Sequence, residues 1–209
     1  MRQKLLAILA LALAGTGALH AQQRHATRHA ANPPSRIVLN THAFAMPGFS
    51  ISGPDLDTPI DISMGPGIGA QVGYALSPRY MLYAGADLGR LGAAPEDDAS
   101  HWSLTMLELG GRMSFPKAAS RLTPYITAAV GTRAVSAQVL DFGDVKIHGM
   151  TVSGGGGITY LLAPNIALNG AAVVSIGKLG HYEGPDGKFH DSVDNSTSTR
   201  LQFGLDWRP

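Results

Sequence analysis

The chain has 209 residues, with 16 Lys and Arg against 15 Asp and Glu and a formal charge of +1. That balance gives no support to nucleic-acid binding, and the lack of cysteine excludes both disulfides and lipid attachment at a cleavage-site cysteine. The length suits one domain with a substantial core.

Arg2 and Lys4 precede an apolar run from Leu5 to Ala14 that is too short to span a bilayer, and Ala18-Leu19-His20-Ala21 supplies an A-x-A cleavage signal. Residues 1–21 are therefore expected to be a signal peptide. Its removal leaves 14 basic against 15 acidic residues. Residues 22–36, polar and rich in His with the pair Pro33-Pro34, are expected to form a flexible periplasmic segment. His25 and His29 lie four apart, a spacing that suits a metal only on a helix, and a disordered basic tail is the better reading. No later stretch offers the roughly 20 uninterrupted apolar residues of a membrane helix.

Residues 37–209 read as strands. From Ile62 to Leu76 one face carries Ile62, Met64, Pro66, Ile68, Ala70, Val72, Tyr74 and Leu76. The other carries Ser63, Gly65, Gly67, Gly69, Gln71, Gly73 and Ala75. Strand side chains alternate faces, so one surface is greasy and the other slim and weakly polar. A soluble sandwich would coat its wet face with Lys and Glu. Here Lys117, Lys146, Lys178 and Lys188 fall in turns, loops or at a strand end. The pattern predicts eight strands, about Ile37–Phe44, Ile62–Leu76, Arg79–Leu91, Trp102–Phe115, Pro124–Val139, Gly149–Leu162, Asn165–Lys178 and Thr197–Trp207. Most exceed the five or six residues of an ordinary strand, and a tilted membrane strand needs about nine to eleven.

Connection lengths alternate. Ser77-Pro78 and Ala163-Pro164 make tight turns and Pro116 to Thr123 a moderate one. The other connections are longer: Ala45 to Asp61, Gly92 to His101, Leu140 to His148, and Leu179 to Ser196. In the fifth strand Ile126, Ala128, Val130 and Ala134 oppose Tyr125, Thr127, Gly131 and Arg133. In the eighth, Leu201, Phe203, Leu205 and Trp207 oppose Arg200, Gln202, Gly204 and Asp206. Tyr74, Tyr80, Phe115, Tyr160 and Trp207 fall by the short turns, and Phe44 and Trp102 by the long loops, as two interfacial girdles would. The fourth strand changes phase between Trp102-Leu104-Met106 and Leu107-Leu109, which predicts a bulge near Met106 or a segment above the bilayer.

On these features the chain resembles the small eight-stranded outer-membrane β-barrels, the porin-family or OmpA-, OmpX- and OmpW-like barrel domain. The resemblance covers about Arg36 to Pro209 and is most specific in the last strand. There Gln202, Gly204 and Trp207 match the signal read by the barrel assembly machinery, whereas Pro209 stands where the family usually carries Phe. The resemblance implies an all-β, antiparallel, up-and-down transmembrane barrel in the outer membrane. It would be surrounded by lipid and lipopolysaccharide, with short turns in the periplasm, and no cofactor or metal is called for. A monomer is expected.

Counting up from the short turns places Asp87, Glu108, Arg133 and Arg200 inward at similar height, with Arg112 and Asp206 below. An eight-stranded barrel is just wide enough for side chains to fill, so these charges are expected to form a salt-bridged plug. A narrow channel for ions or small solutes is the alternative, because glycine-lined walls leave some space. A lipid-A deacylase is the remaining alternative: His190-Asp191-Ser192 has Glu183 and Asp194 nearby, as an activated Ser would need. But the triplet reads as a solvated loop around Gly184-Pro185-Asp186-Gly187, and Val193 stands where deacylases carry Asn. Gly154 to Gly157 lacks the Lys and Ser/Thr of a phosphate loop and sits in a strand. His101, His148 and His181 lack metal-ligand spacing, and Glu96-Asp97-Asp98 reads as a solvated loop. The expected function is non-enzymatic, residing in membrane support or loop contacts, with Ala45 to Asp61 and Leu179 to Ser196 as the contact surfaces.

Overall fold

Strands that face hydrocarbon must pair along both edges, because an unpaired backbone N–H or C=O has no partner there. The computed structural model shows how this chain meets that requirement. It describes residues 36–52, 60–62, 65–91, 101–118, 120–139, 143–184 and 187–209. The expected signal peptide, residues 22–35 and Glu96-Asp97-Asp98 lie outside the described residues.

The elements are β1 (Ile37–Ser52), β2 (Ile60–Ile62), β3 (Gly65–Ala75), β4 (Tyr80–Leu91) and β5 (His101–Ser114), then β6 (Leu122–Val139), β7 (Gly143–Ala163), β8 (Ile166–Gly184) and β9 (Gly187–Trp207). Neighbours in the sheet run antiparallel, and β1 pairs with β9 from Leu39↔Trp207 to Ser52↔Asn195. That seam closes the sheet. β2 and β3 pair end to end with the same edge of β1, so the barrel has eight walls.

Three of the expected long loops, Ala45 to Asp61, Leu140 to His148 and Leu179 to Ser196, are mostly strand. β7 and β9 each run 21 residues, about twice what crosses hydrocarbon. Pairing continues to Val139↔Gly143 and to Gly184↔Gly187. Outside the bilayer a hairpin can still satisfy its own backbone groups, so the strands project past the lipid instead of ending at it. His190-Asp191-Ser192 therefore lies in β9, with His190 opposite His181, rather than in a loop. The side chains of the triplet lie outside the described residues.

The alternation of faces divides the molecule into a lipid side and a lumen. Ile68, Val72, Leu88, Leu107, Leu109, Val130, Val152, Ile176, Leu201 and Phe203 are all exposed. Inward positions are buried. Tyr74, Tyr80, Phe115, Tyr160 and Trp207 are each exposed outward beside the short turns, making one aromatic belt. The second belt is not formed by Phe44 and Trp102. Phe44 is buried in the lumen, and Trp102 packs against an internal cluster of Met46, Phe49, Ile51, Leu104, Met106, Val135, Ile147 and Leu179.

That cluster also removes the apparent phase change in β5. Its register with β4 and β6 is unbroken, with no bulge. Trp102, Leu104, Met106 and Glu108 all point inward while Leu107 and Leu109 point out. What changes along the strand is the chemistry of the lumen. Apolar side chains fill its outer end and polar ones its middle and lower part. A bulge does occur in β1 between Ala45 and Gly48, where exposed Pro47 costs no ladder bond.

Candidate functional site

The polar lumen is built by side chains at inward positions, which share one parity along each strand. β1 supplies Asn40 and His42, β4 Tyr83 and Asp87, and β5 Glu108 and Arg112. Ser153 comes from β7, Asn169 and Ser175 from β8, and Ser196, Ser198, Arg200 and Asp206 from β9.

Arg200 is the centre. Its guanidinium has no solvent exposure and donates Nη1 to Asp87 Oδ2 and Nη2 to Glu108 Oε1, the latter at 2.7 Å. Asp87 Oδ1 is also 3.0 Å from His42 Nε2, and His42 Nδ1 lies 2.8 Å from Asn40 Oδ1. Ser153 donates to Glu108 Oε1 at 2.5 Å and lies 2.9 Å from Ser175 Oγ. Each carboxylate thus meets a cation and a second polar partner, which is what makes a buried charge tolerable.

A second layer lies toward the short turns. Asp206 accepts from Arg112 Nη1 at 3.1 Å, Asn40 Nδ2 at 2.6 Å and Asn169 Nδ2 at 3.2 Å. Tyr125 donates to Asn169 Oδ1 at 2.6 Å, and the Arg112 guanidinium stacks 4.3 Å from the Tyr125 ring centre. A cavity of about 20 Å³ between the layers, lined by Tyr83, Arg112, Thr127, Arg200 and Gln202 among others, has room for about one water.

Arg133 stands apart from both layers. It donates to Ser196 Oγ at 3.1 Å and Ser198 Oγ at 2.6 Å, and lies 5.1 Å from the Phe49 ring centre. Among the described residues it reaches no carboxylate, so the four-charge cluster expected at one height is a three-charge cluster with Arg133 above it. The ladder explains this. Glu108 sits opposite Gly131, so Arg133 is two residues higher on β6. Counting from the turns ignores strand tilt, which carries equal counts to unequal heights.

The inward glycines do not open a path. A Cβ at Gly67 would collide with the Phe44 ring, at Gly110 with Tyr83 and at Gly157 with Tyr125. These glycines are the hollows that large lumen side chains occupy. Asn40, His42, Tyr83, Asn169, Ser153 and the serines around Arg133 were not among the expected site residues. The available signal was polar residues at alternate positions in β1, β7 and β8. Gln202 and Gly204 face the lumen, and Gly204 abuts His42. Trp207 faces out. Among the described residues, no group of three His, Asp or Glu could hold a metal.

A closed antiparallel barrel with eight walls, apolar outside and filled inside, is an outer-membrane-type β-barrel. No family model matches the chain, and no curated protein matches it. Among solved structures it is similar to Neisserial surface protein A, with a TM-score of 0.60 and 17% identity over 85% of this chain and 99% of that one. It is similar to the outer membrane protein OprG from Pseudomonas aeruginosa, with a TM-score of 0.56 and 13% identity over 84% and 97%. The attachment invasion locus protein Ail of Yersinia pestis gives 0.50 and 8% over 84% and 99%. At these identities the likeness is one of fold, that of the small eight-stranded outer-membrane barrels.

Proposed function

We propose that the protein is a monomeric, non-enzymatic resident of the outer membrane whose barrel is sealed and whose outer hairpins make its contacts. The supporting observation is Arg200, fully buried between Asp87 and Glu108 and roofed by the apolar cluster of Met46, Leu104, Met106 and Val135. Ion passage would require breaking that pairing and wetting the apolar roof, and the cost of leaving such charges unpaired is several kcal/mol. The lipid-facing surface lies in lipid and lipopolysaccharide, and Gln202, Gly204 and Trp207 serve assembly-machinery recognition. With strands committed to lipid and lumen, the β1–β2 connection and the β8–β9 hairpin are the parts left to meet other molecules.

Single-channel recording in planar bilayers tests the reading. Protein with a folded, heat-modifiable migration should show no steady open state. A sustained conductance would show that the lumen is a pore.

A further inference from the structure

Charge is partitioned between the two rims of this barrel. Of the 15 acidic residues, Asp87, Glu108 and Asp206 are in the lumen, and all the others fall by sequence within or beside the long connections. The short-turn rim has no Asp or Glu: the first acidic residue of the chain is Asp55, and residues 76–79, 115–121, 163–165 and 207–209 contain none. That rim instead presents five exposed cations, Arg36, Arg79, Lys117, Arg121 and Arg208. None is in an ion pair among the described residues.

Their placement relative to the aromatic belt fixes their depth. Arg79 immediately precedes Tyr80, Arg208 immediately follows Trp207, and Lys117 is two residues beyond Phe115. Arg36 donates Nη1 to Tyr74 Oη at 3.3 Å, and Arg121 is next to Leu122, which pairs with Tyr160. Interfacial aromatics mark the boundary between hydrocarbon and headgroups, so side chains one or two residues beyond them lie at the level of the lipid phosphates. The cations occupy three of the four strand-end sites at this rim; Pro164-Asn165 between β7 and β8 carries none. Spread around the circumference at phosphate depth, they face the ring of lipid around the barrel more than any compact soluble partner.

We infer that this rim binds the phosphodiester headgroups of anionic phospholipid, holding a selective annulus of it in the leaflet on the short-turn side. The inference rests on the membrane placement proposed above. Cations near a lipid surface attract anionic headgroups over a Debye length, and the opposite, acid-rich rim would repel the same lipids. The annulus would therefore also fix which way the barrel faces and how deep it sits.

Trp207 sits beside Arg208 and reports on this lipid. In a W102F background it is the sole remaining tryptophan of two. The protein is folded into phosphatidylcholine vesicles containing either brominated phosphatidylglycerol or brominated phosphatidylcholine, and Trp207 quenching gives the relative association of each lipid. Phosphatidylglycerol should be favoured about fivefold at low salt. The preference should fall toward unity at about 1 M salt, where the Debye length shrinks to ~3 Å. It should also fall to near unity in the R36Q/R79Q/K117Q/R121Q/R208Q variant, and the salt series alone decides the matter if that variant does not fold. Equal quenching by both lipids, or a preference untouched by salt, overturns the inference and leaves the membrane reading standing. No quenching by either lipid overturns the membrane reading itself. Muropeptides that bind the rim while neither phospholipid is preferred would assign it to a soluble polyanion instead.

Discussion

Arg200 shows how much one side chain can be asked to do in a lumen this narrow. It neutralises two carboxylates from adjacent strands, β4 and β5, while standing on β9 across the barrel. Removing one member of a buried ion pair leaves uncompensated charge, at a cost of about 3–5 kcal/mol, whereas replacing the whole set with apolar groups is often near neutral. R200M should therefore lower the unfolding free energy by about 3–5 kcal/mol in urea titrations followed by tryptophan fluorescence in lipid vesicles. The triple change D87N/E108Q/R200M should lose less than R200M alone. A triple variant at least as unstable as R200M would show that the pairing is not what Arg200 contributes. The charges themselves were legible in the sequence, because a charged residue at an inward position of a lipid-facing strand has nowhere else to go. The partners of Arg133 were not, since heights counted along single strands omit the shear that only closure defines. Glycine misled in the opposite direction: read as empty wall, Gly67 and Gly110 are the seats of Phe44 and Tyr83.

At the scale of the element, β5 carries the clearest lesson about solvent. A run of Trp102, Leu104 and Met106 next to Leu107 and Leu109 looks like a broken alternation only if apolar means lipid-facing. In this barrel β5 carries apolar residues on both faces at different heights, Leu107 and Leu109 against hydrocarbon and, above them, Leu104 and Met106 against the internal cluster. Period alone cannot separate those environments; what decides is Glu108, which fixes the inward parity of the whole strand. The lipid band also has a readable upper limit, because Arg90 faces out and is exposed opposite Ser103. Two outward positions on β5 should then differ sharply. L107R, near mid-height, should cost about 2–4 kcal/mol of folding free energy in vesicles, as arginine does at a bilayer midplane. S103E, opposite Arg90, should change stability by no more than about 1 kcal/mol in either direction. Equal penalties at the two sites would mean that the apolar band does not end where Arg90 begins.

For the whole molecule, closure is what joins these parts into one cooperative unit. The β1–β9 seam pairs the first strand with the last, so the sheet closes on itself and lumen partners are drawn from strands far apart in sequence, as Asn40 and Asp206 are. Every lumen contact then depends on the seam, and the seam depends on all eight walls being present. Such a structure should resist detergent until it fails as a whole. On a gel, unboiled protein from the membrane fraction should run as one compact band distinct from the boiled chain, without intermediates. Deleting residues 201–209 removes the lower end of β9, with Asp206 and the seam pairs from Leu39 to Ala45, and should abolish the compact band entirely. The same chain should require detergent or lipid to stay monodisperse, since Ile68, Leu109, Met150 and Phe203 are exposed on its outer face. Folded, monodisperse protein in plain buffer would contradict the assignment of that surface to lipid, because water tolerates so large an unbroken apolar band only when something hides it.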